Sequence, residues 1–119
     1  MIVAGFGCRA GTPLASLQAV LTLAADSRAI DALATPEDRQ PLLAPLAEAL
    51  ALPLVPIAPD ALATIETPTR SAVSLAARRT GSVAEAAALA AAGPGARLLA
   101  PRCISPDRMA TCAIAEGTP

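Results

Sequence analysis

The opening dozen residues constrain the fold of this chain more than any other stretch. An apolar run over residues 2–6 ends among glycines at positions 5, 7 and 11, and Thr12-Pro13 then begins a segment with helical periodicity. A buried strand that passes through a glycine-rich turn directly into a helix is typical of α/β domains. Glycine permits the sharp turn and lets the backbone approach a ligand closely. The stretch therefore predicts an α/β fold with a candidate binding site at its first turn.

An anion is the ligand that this turn favours. Thr12 is a good N-cap and Pro13 suits the first helical position, so we expect the helix to begin there. The free N–H groups of a helix N-terminus attract anions, and Arg9 adds a planar fork of donors suited to a carboxylate or phosphate. The candidate binding residues in this turn are Gly7, Cys8, Arg9, Gly11 and Thr12.

Two nucleotide-binding motifs fit the turn poorly. A P-loop needs a Lys-Ser/Thr pair, which is absent, and the spacing G-x-G-x-x-x-G over residues 5–11 is one residue longer than the dinucleotide fingerprint. A nucleotide-binding module is therefore kept only as an alternative. A junction that binds nothing is a further alternative, because such strand–turn–helix junctions are common in α/β domains.

The rest of the chain alternates short apolar runs with helical segments. Strands are predicted at residues 1–6, 29–34, 53–58, 97–101 and 109–115, and helices at 13–25, 42–51, 59–65, 71–80 and 83–92. The alternation predicts a single three-layer α/β/α domain over residues 1–119, with a mostly parallel sheet of about five strands. The last two strands have no room for a helix between them, so we expect them to pair as an antiparallel hairpin.

Prolines and capping residues place the ends of these elements. Pro41 and Pro45 are predicted not to share one regular helix, and the prolines at 53 and 56 place the third strand at a sheet edge. Thr35 is predicted to cap a helical turn over residues 36–39.

Two further capping signals lie in the second half of the chain. Ser82 and Glu85 form a Ser-x-x-Glu capping box at the start of an alanine-rich helix. Arg78 and Arg79 fall in the last turn of the preceding helix, where we expect them to complement the helix dipole, with contact to a ligand as the alternative.

Composition excludes several classes of partner. All nine basic residues are arginine and the net charge is −1, so no electrostatic attraction to nucleic acid is expected. Phe6 is the only aromatic residue, so a base-stacking platform is missing and the core must consist of small aliphatic side chains. The apolar stretch 42–58 contains Glu48 and three prolines, which argues against a membrane span. Without a basic leader segment, the chain is expected to be cytoplasmic.

The absence of histidine narrows the possible chemistry. It excludes Ser-His-Asp and Cys-His catalysis and histidine-based metal sites. Cys8, Cys103 and Cys112 lack metal-ligand spacing and are expected to be reduced, so we predict neither a metal nor a cofactor. Cys103 and Cys112 are interpreted as inert. Cys8 has two interpretations: a lining residue, or a nucleophile whose pKa is lowered by the helix N-terminus and Arg9.

Six blocks of residues, in order, resemble one family. They are Gly5-Phe6-Gly7-Cys8-Arg9-Ala10-Gly11-Thr12, Leu33-Ala34-Thr35, Leu52-Pro53-Leu54, Ser82-Val83-Ala84-Glu85-Ala86-Ala87-Ala88-Leu89, Leu98-Leu99-Ala100-Pro101-Arg102 and Ala110-Thr111-Cys112-Ala113-Ile114-Ala115. Over nearly its whole length the chain resembles the CobE family of cobalamin (vitamin B12) biosynthesis, which is similar to the C-terminal domain of CbiG.

The resemblance implies an α/β/α domain that acts on corrin-ring intermediates. CbiG opens a lactone on a cobalt-precorrin, but the domains that precede this one in CbiG are not in the sequence, so we expect the stand-alone CobE type. Arg39 takes the basic position that follows Thr35 in the family, and Arg102 stands where the family often has lysine. If the first two strands are parallel neighbours, Thr35 joins Arg9 and Thr12 at the ligand-binding edge of the sheet.

Two functions from different classes remain open at this point. The first is binding, without turnover, of a carboxylate-rich corrin or precorrin intermediate by the turn, with Thr35 and Arg102 as further contacts. The second is a hydrolase for a precorrin lactone, in which Glu85 or a threonine-bound water acts as the general base. The expected partners are the corrin intermediate, other enzymes of the cobalamin pathway and, through the exposed edge near Pro53, a second copy of the chain.

Overall fold

The structure is a computed structural model that describes residues 1–78 and 80–117. The described residues form six strands and five α-helices, in the following order: β1 Ile2–Cys8, α1 Leu14–Ala25, β2 Ala32–Pro36, α2 Gln40–Leu50, β3 Leu54–Ile57, α3 Pro59–Ala63, α4 Ala72–Arg78, α5 Val83–Ala92, β4 Arg97–Leu98, β5 Cys103–Ile104 and β6 Ala110–Glu116. A single 3-10 turn, Glu37–Arg39, connects β2 to α2. Arg79 lies outside the described residues, so its predicted place in the last turn of α4 is not addressed.

The sheet is mixed, which corrects the prediction of a mostly parallel sheet of about five strands. The strand order is β3-β2-β1-β6-β4, with β5 also paired to β6. β1 is parallel to β2 and β2 to β3, whereas β6 is antiparallel to β1, β4 and β5. The short connections from β4 and β5 to β6 contain no helix, so the chain reverses direction there. The predicted antiparallel pairing of the last strands is therefore confirmed, but β6 also brings antiparallel pairing to the centre of the sheet.

The predicted edge strand is confirmed. β3 pairs with β2 alone, and Pro56 lies within it opposite Thr35. Proline cannot donate a ladder hydrogen bond, which is tolerated only where one side of the strand has no neighbour. At this position the prolines also hinder the pairing of a further strand.

Helices cover both faces of the sheet. Ala4 and Phe6 of β1 pack in one cluster with Leu17 of α1 and Leu43 of α2. Val3 points to the other face, where it packs in a second cluster with Ala86 and other residues of α3 and α5. The alternation of side chains along β1 thus separates two apolar layers, as expected for a strand covered on both faces.

Small residues bring α5 into direct contact with the sheet. A Cβ atom on Gly5 would lie 2.3 Å from the carbonyl oxygen of Ala84 and 2.4 Å from the backbone nitrogen of Ala88. Because glycine has no side chain, the alanine-rich helix can lie against the backbone of β1. This close approach fixes where α5 begins, and hence where Val83 and Glu85 lie.

The two prolines of α2 correct a prediction. Pro41 and Pro45 lie in the same helix, Gln40–Leu50. Pro41 is in the first turn, where no backbone N–H is needed, so only Pro45 removes a helical hydrogen bond. Burial of Leu43 and Leu46, which are at most 1% exposed, offsets that loss.

The capping box at α5 is half confirmed. The hydroxyl of Ser82 accepts a hydrogen bond from Glu85 N at 3.3 Å, as an N-cap residue should. The carboxylate of Glu85 instead accepts hydrogen bonds from Thr69 and Arg102, in two other segments.

Within residues 1–78 and 80–117, no helix combines the length and the apolarity needed to cross a lipid bilayer.

Candidate functional site

A cavity of about 400 Å³ lies where β1 and β2 end. Its walls come from the turn after β1, the 3-10 turn after β2, α4, the start of α5, and the segment from β5 to β6. The carboxyl ends of parallel strands are where α/β sheets place their ligand sites, so this position agrees with the sequence-based expectation.

Five arginines line this cavity, which we call the arginine cavity: Arg9, Arg39, Arg78, Arg102 and Arg108. They come from five separate segments of a chain whose net charge is only −1. Five arginines around one concave surface, offset in part by Asp38, create a positive potential, and their guanidinium groups are donor forks that match carboxylate geometry. The site is therefore suited to an anion with more than one negative group.

Part of the cavity lining is apolar. This part, which we call the floor, comprises Gly7, Pro36, Val83, Ile104, Met109 and Ala110, and the lining also includes the hydroxyl-bearing residues Ser71, Ser74 and Thr111. A Cβ atom on Gly7 would lie 2.9 Å from Thr111 Oγ1 and 3.1 Å from Val83 Cβ, so glycine keeps this part of the floor flat. An apolar body with charged substituents at its rim would match such a floor and such walls.

Two of the arginines are already engaged within the protein. Arg78 forms a bidentate pair with Asp38, at 2.9 Å and 3.0 Å. Arg39 donates from Nε to the carbonyl oxygen of Cys8 at 3.0 Å, and its Nη1 lies 3.6 Å from Asp38 Oδ2. The hydrogen bond from Arg78, together with both positive charges, holds the pKa of Asp38 below its ordinary value, so this carboxylate is ionised at neutral pH.

The other three arginines have no acidic partner among residues 1–78 and 80–117. Their backbone N–H groups donate to Met109, Glu85 and Ser105, but their guanidinium groups form no ion pair in this part of the chain. Arg108 also has a φ of 61°, a left-handed conformation that is uncommon for residues other than glycine and is often found at functional sites. Arg9, Arg102 and Arg108 are therefore the guanidinium groups available to a ligand.

Four of the seven predicted binding residues line the cavity: Gly7, Cys8, Arg9 and Arg102. Gly11, Thr12 and Thr35 do not. Gly11 occupies an exposed turn with a φ of 78°, where glycine is needed for the backbone conformation. Its contribution to the site is the course of the turn after Arg9.

Thr12 does not cap α1, which corrects the prediction. The helix begins at Leu14 with Pro13 in the N-cap position, and the Thr12 hydroxyl donates to the carbonyl oxygens of Arg9 at 2.6 Å and Met109 at 3.2 Å. The hydroxyl closes the turn after β1 and connects that turn to the segment before β6, instead of accepting from a helical N–H group. The N-terminus of α1 consequently lies outside the arginine cavity.

Thr35 also has a different role from the predicted cap. It is fully buried inside β2, and its hydroxyl donates to the carbonyl oxygen of Phe6 on β1 at 3.3 Å. Pro36 takes the N-cap position of the 3-10 turn. Thr35 therefore ties β1 to β2 just before both strands reach the cavity.

Burial, not activation, dominates the environment of Cys8. Burial raises the pKa of this thiol, and the positive charge of Arg39 and a hydrogen bond with Thr12 offset the increase only in part. The expectation of a lowered pKa is therefore wrong, because the effect of burial outweighs that of the positive charge of Arg39. A protonated thiol favours the lining interpretation of Cys8 over the nucleophilic one.

The remaining cysteines face each other on neighbouring strands. Cys103 of β5 pairs in register with Cys112 of β6, and both are free thiols. Burial raises the pKa of Cys112 well above its ordinary value. Burial thus keeps the Cys112 thiol protonated at neutral pH.

Three arginines of the cavity are not among the predicted site residues. Arg39 is marked in the sequence only by its position in the family pattern, and for Arg78 contact to a ligand is only the alternative to a role at the helix C-terminus. Arg108 follows no motif at all. The one available signal was that nine arginines and no lysine serve a chain of 119 residues, because arginine is the residue of choice for carboxylate forks.

Comparison with known proteins points to one pathway. Residues 2–115 match the family described as cobalamin synthesis G C-terminus. The crystal structure of CobE, a protein from the cobalamin (vitamin B12) biosynthetic pathway, is 35% identical with a TM-score of 0.86, over 97% of this chain and 89% of that one. The cobalamin biosynthesis protein chiG from Agrobacterium tumefaciens str. C58 is 36% identical with a TM-score of 0.77, over the full length of both chains.

A more distant structure shares the fold alone. A cobalamin biosynthesis protein G homolog from Sulfolobus solfataricus is 18% identical with a TM-score of 0.75, and this chain matches 36% of its length. Among curated proteins, none matches the sequence.

Proposed function

Since the chain belongs to the cobalamin-biosynthesis family of the CbiG C-terminus and CobE, we propose that it binds a carboxylate-rich corrin or precorrin intermediate in the arginine cavity. The observation that carries the proposal is the convergence of five arginines on one cavity with an apolar floor. Corrin precursors combine an apolar macrocycle with acetate and propionate groups around its rim. Both features of the cavity therefore have a counterpart in the ligand.

Each part of the cavity has a role in this proposal. Arg9, Arg102 and Arg108, which lack acidic partners in the described chain, bind carboxylates of the ligand. Arg39 and Arg78 are held by Cys8 and Asp38, so they contribute mainly to the positive potential.

The arginines set how the ring is held. Arg9, Arg102 and Arg108 all line one cavity, so we expect the cavity to take one edge of the ring with its carboxylates. The flat floor at Gly7 and Val83 contacts the apolar face of the macrocycle. The outer part of the ring stays accessible, which suits a protein that passes its ligand to other enzymes of the pathway.

The test is incubation of the protein with a pool of precorrins and corrin carboxylic acids. Mass analysis of the protein-bound fraction identifies what is retained, and analysis of the free fraction identifies anything that is altered. We expect retention of carboxylate-rich intermediates without a change in mass. A gain in mass of one water, which accompanies hydrolytic opening of a lactone, or a subsequent loss of acetaldehyde, would support a hydrolase instead.

A matched pair of variants connects retention to the cavity. Arg9→Ala with Arg102→Ala removes two of the free guanidinium groups, and we expect retention to fall about 100-fold or more, since each charge-assisted bond contributes about 1.5–3 kcal/mol. The control is Arg97→Ala, which removes one arginine at the opposite end of β6, where it pairs with Glu116. Equal retention by all three proteins would refute the proposed site.

A further inference from the structure

One buried acid lies directly behind the arginine cavity. Glu85 is in the first turn of α5 and is 0% exposed, and its two oxygens accept three hydrogen bonds. Oε1 accepts from Thr69 N at 3.0 Å, and Oε2 accepts from Thr69 Oγ1 at 2.9 Å and from Arg102 N at 3.1 Å. A buried carboxylate is costly unless it is fully hydrogen-bonded, so this arrangement requires both partner segments to stay in place.

The two partner segments both supply walls of the cavity. Thr69 lies just before α4, which carries Ser74 and Arg78 on the lining. Arg102 is itself a lining residue and leads into β5. The carboxylate of Glu85 therefore connects two segments that supply cavity walls, through Thr69 and Arg102, which lie 33 positions apart in the chain.

A second contact shows how tightly the base of α4 is held. Ser71 N donates to the carbonyl oxygen of Gly81 at 2.7 Å, and a Cβ atom on Gly81 would lie 2.4 Å from the carbonyl oxygen of Thr69. The segment before α4 thus packs against the segment that leads into α5. The buried carboxylate of Glu85 lies at this junction.

We propose that Glu85 is a positioning residue for the arginine cavity: without touching the ligand, its carboxylate sets where Arg102 and the α4 wall stand. The inference rests on the proposed function, because the property at stake is the affinity for a polycarboxylate. In this role Glu85 organises the arginine cavity and does not act as the general base that the hydrolase alternative requires.

The isosteric change Glu85→Gln tests the acceptor requirement. An amide has one acceptor oxygen and one donor nitrogen. If the nitrogen takes the Oε1 position it faces Thr69 N–H, and if it takes the Oε2 position it faces Arg102 N–H. Either orientation leaves one backbone N–H without its acceptor, so one wall is released while the size of the side chain is kept.

The control variant is Ser82→Ala. It removes the N-cap hydroxyl of the same helix, which accepts from Glu85 N, and leaves the Glu85 carboxylate in place. Both variants weaken the start of α5, but only Glu85→Gln changes the contacts to Thr69 and Arg102. We expect Glu85→Gln to weaken the binding of a corrin polycarboxylate about tenfold, and Ser82→Ala to change it less than about twofold.

Double-mutant cycles separate positioning from general destabilisation. If Glu85 acts through Arg102, adding Glu85→Gln to Arg102→Ala should weaken binding by well under the product of the two single effects. Adding it to Arg9→Ala should give about the product, because Arg9 lies on the turn after β1. A merely structural role would give the same coupling with both arginines.

A ligand-free measurement accompanies these cycles. Amide hydrogen exchange should be slow at both Thr69 and Arg102 in the wild type, and in Glu85→Gln it should be at least about tenfold faster at the one of these two amides that loses its acceptor. If Glu85→Gln fails to fold by circular dichroism, Glu85→Asp replaces it in both experiments, because the shorter side chain withdraws the carboxylate from Thr69 N and Arg102 N but keeps its charge.

The outcomes distinguish the two proposals. Binding by the wild type, weakening by Arg9→Ala and wild-type affinity of Glu85→Gln would overturn the positioning role and leave the proposed function standing. Equal coupling of Glu85→Gln to Arg9 and Arg102 would also overturn it. No binding of corrin polycarboxylates by the wild type would overturn the proposed function, and the positioning role with it.

Discussion

Replacement of Gly5 by alanine should separate α5 from the sheet. The new Cβ atom would lie 2.3 Å from Ala84 O, 2.4 Å from Ala88 N and 2.8 Å from Ala88 Cα. All three are backbone atoms of a helix, so no side-chain rotation can relieve the overlap. The helix must retreat by about 1 Å to restore ordinary contact.

The cost follows from that displacement. Overpacking of a core costs about 1–3 kcal/mol, and the rigid neighbours place Gly5→Ala near the upper end. With an m-value of about 2 kcal/mol/M, the midpoint of urea unfolding should fall by about 1.5 M. Because Val83 and Glu85 move with α5, the affinity for a corrin polycarboxylate should fall as well.

Gly11→Ala is the matched control. Nothing lies within 4 Å of a Cβ atom there, and the φ of 78° alone imposes a cost of about 1–2 kcal/mol. Urea titrations followed by circular dichroism compare the two variants. An unfolding midpoint of Gly5→Ala equal to that of the wild type would refute the close packing of α5 on β1.

Three further predictions concern single side chains. Asp38→Asn should lower the free energy of unfolding by less than about 1 kcal/mol at pH 7, because the ion pair with Arg78 is exposed. The folded pKa of Asp38 lies below its ordinary 3.8, so this difference in stability should persist above pH 3.8 and vanish as the pH falls through the folded pKa. Acid titrations of the wild type and the variant measure both effects. Pro45→Ala should raise the free energy of unfolding by about 1–2 kcal/mol, as measured in thermal melts. The change restores one helical hydrogen bond within α2, and the higher conformational entropy of an unfolded chain without this proline offsets part of the gain. Alkylation of Cys8 by iodoacetamide at pH 7, measured by peptide mass mapping, should be slower than that of a free cysteine, because burial raises the pKa of its thiol; a faster rate would restore the nucleophilic interpretation.

The sequence predicted elements better than it predicted their pairing. Apolar runs and capping residues located every helix and most strands, because these signals are local. The direction of β6 is not local: its seven residues would alternate in the same way in a parallel or an antiparallel ladder. The sheet was therefore predicted to be mostly parallel, although β6 pairs antiparallel with β1 at its centre.

The sequence could identify only those arginines of the site that lie next to the end of a predicted strand. Arg9 follows β1, and Arg102 follows the strand predicted at residues 97–101, so both could be named from the sequence. Arg78 has a sufficient local explanation at a helix C-terminus, and Arg108 belongs to no pattern. These two reach the cavity only because α4 and the β5–β6 segment fold over the ends of β1 and β2.

The predictions of N-caps at Thr12 and Thr35 were wrong for a physical reason. Threonine before proline resembles an N-cap at both Thr12 and Thr35, but a hydroxyl can also donate. Each of them donates to a carbonyl oxygen on β1 or in the turn that follows it. The local pattern cannot tell which use prevails, because the competing carbonyl groups become neighbours only in the folded chain.

The most direct test of the account compares one corrin in two chemical forms. Absorbance titration measures the affinity of the wild-type protein for a corrin polycarboxylic acid and for the same ring with its carboxylates converted to carboxamides. If guanidinium groups recognise the ligand, the acid should bind at least about 100-fold more tightly, and this preference should shrink as salt is raised. Equal affinity for the acid and the amide at low salt concentration would contradict the account.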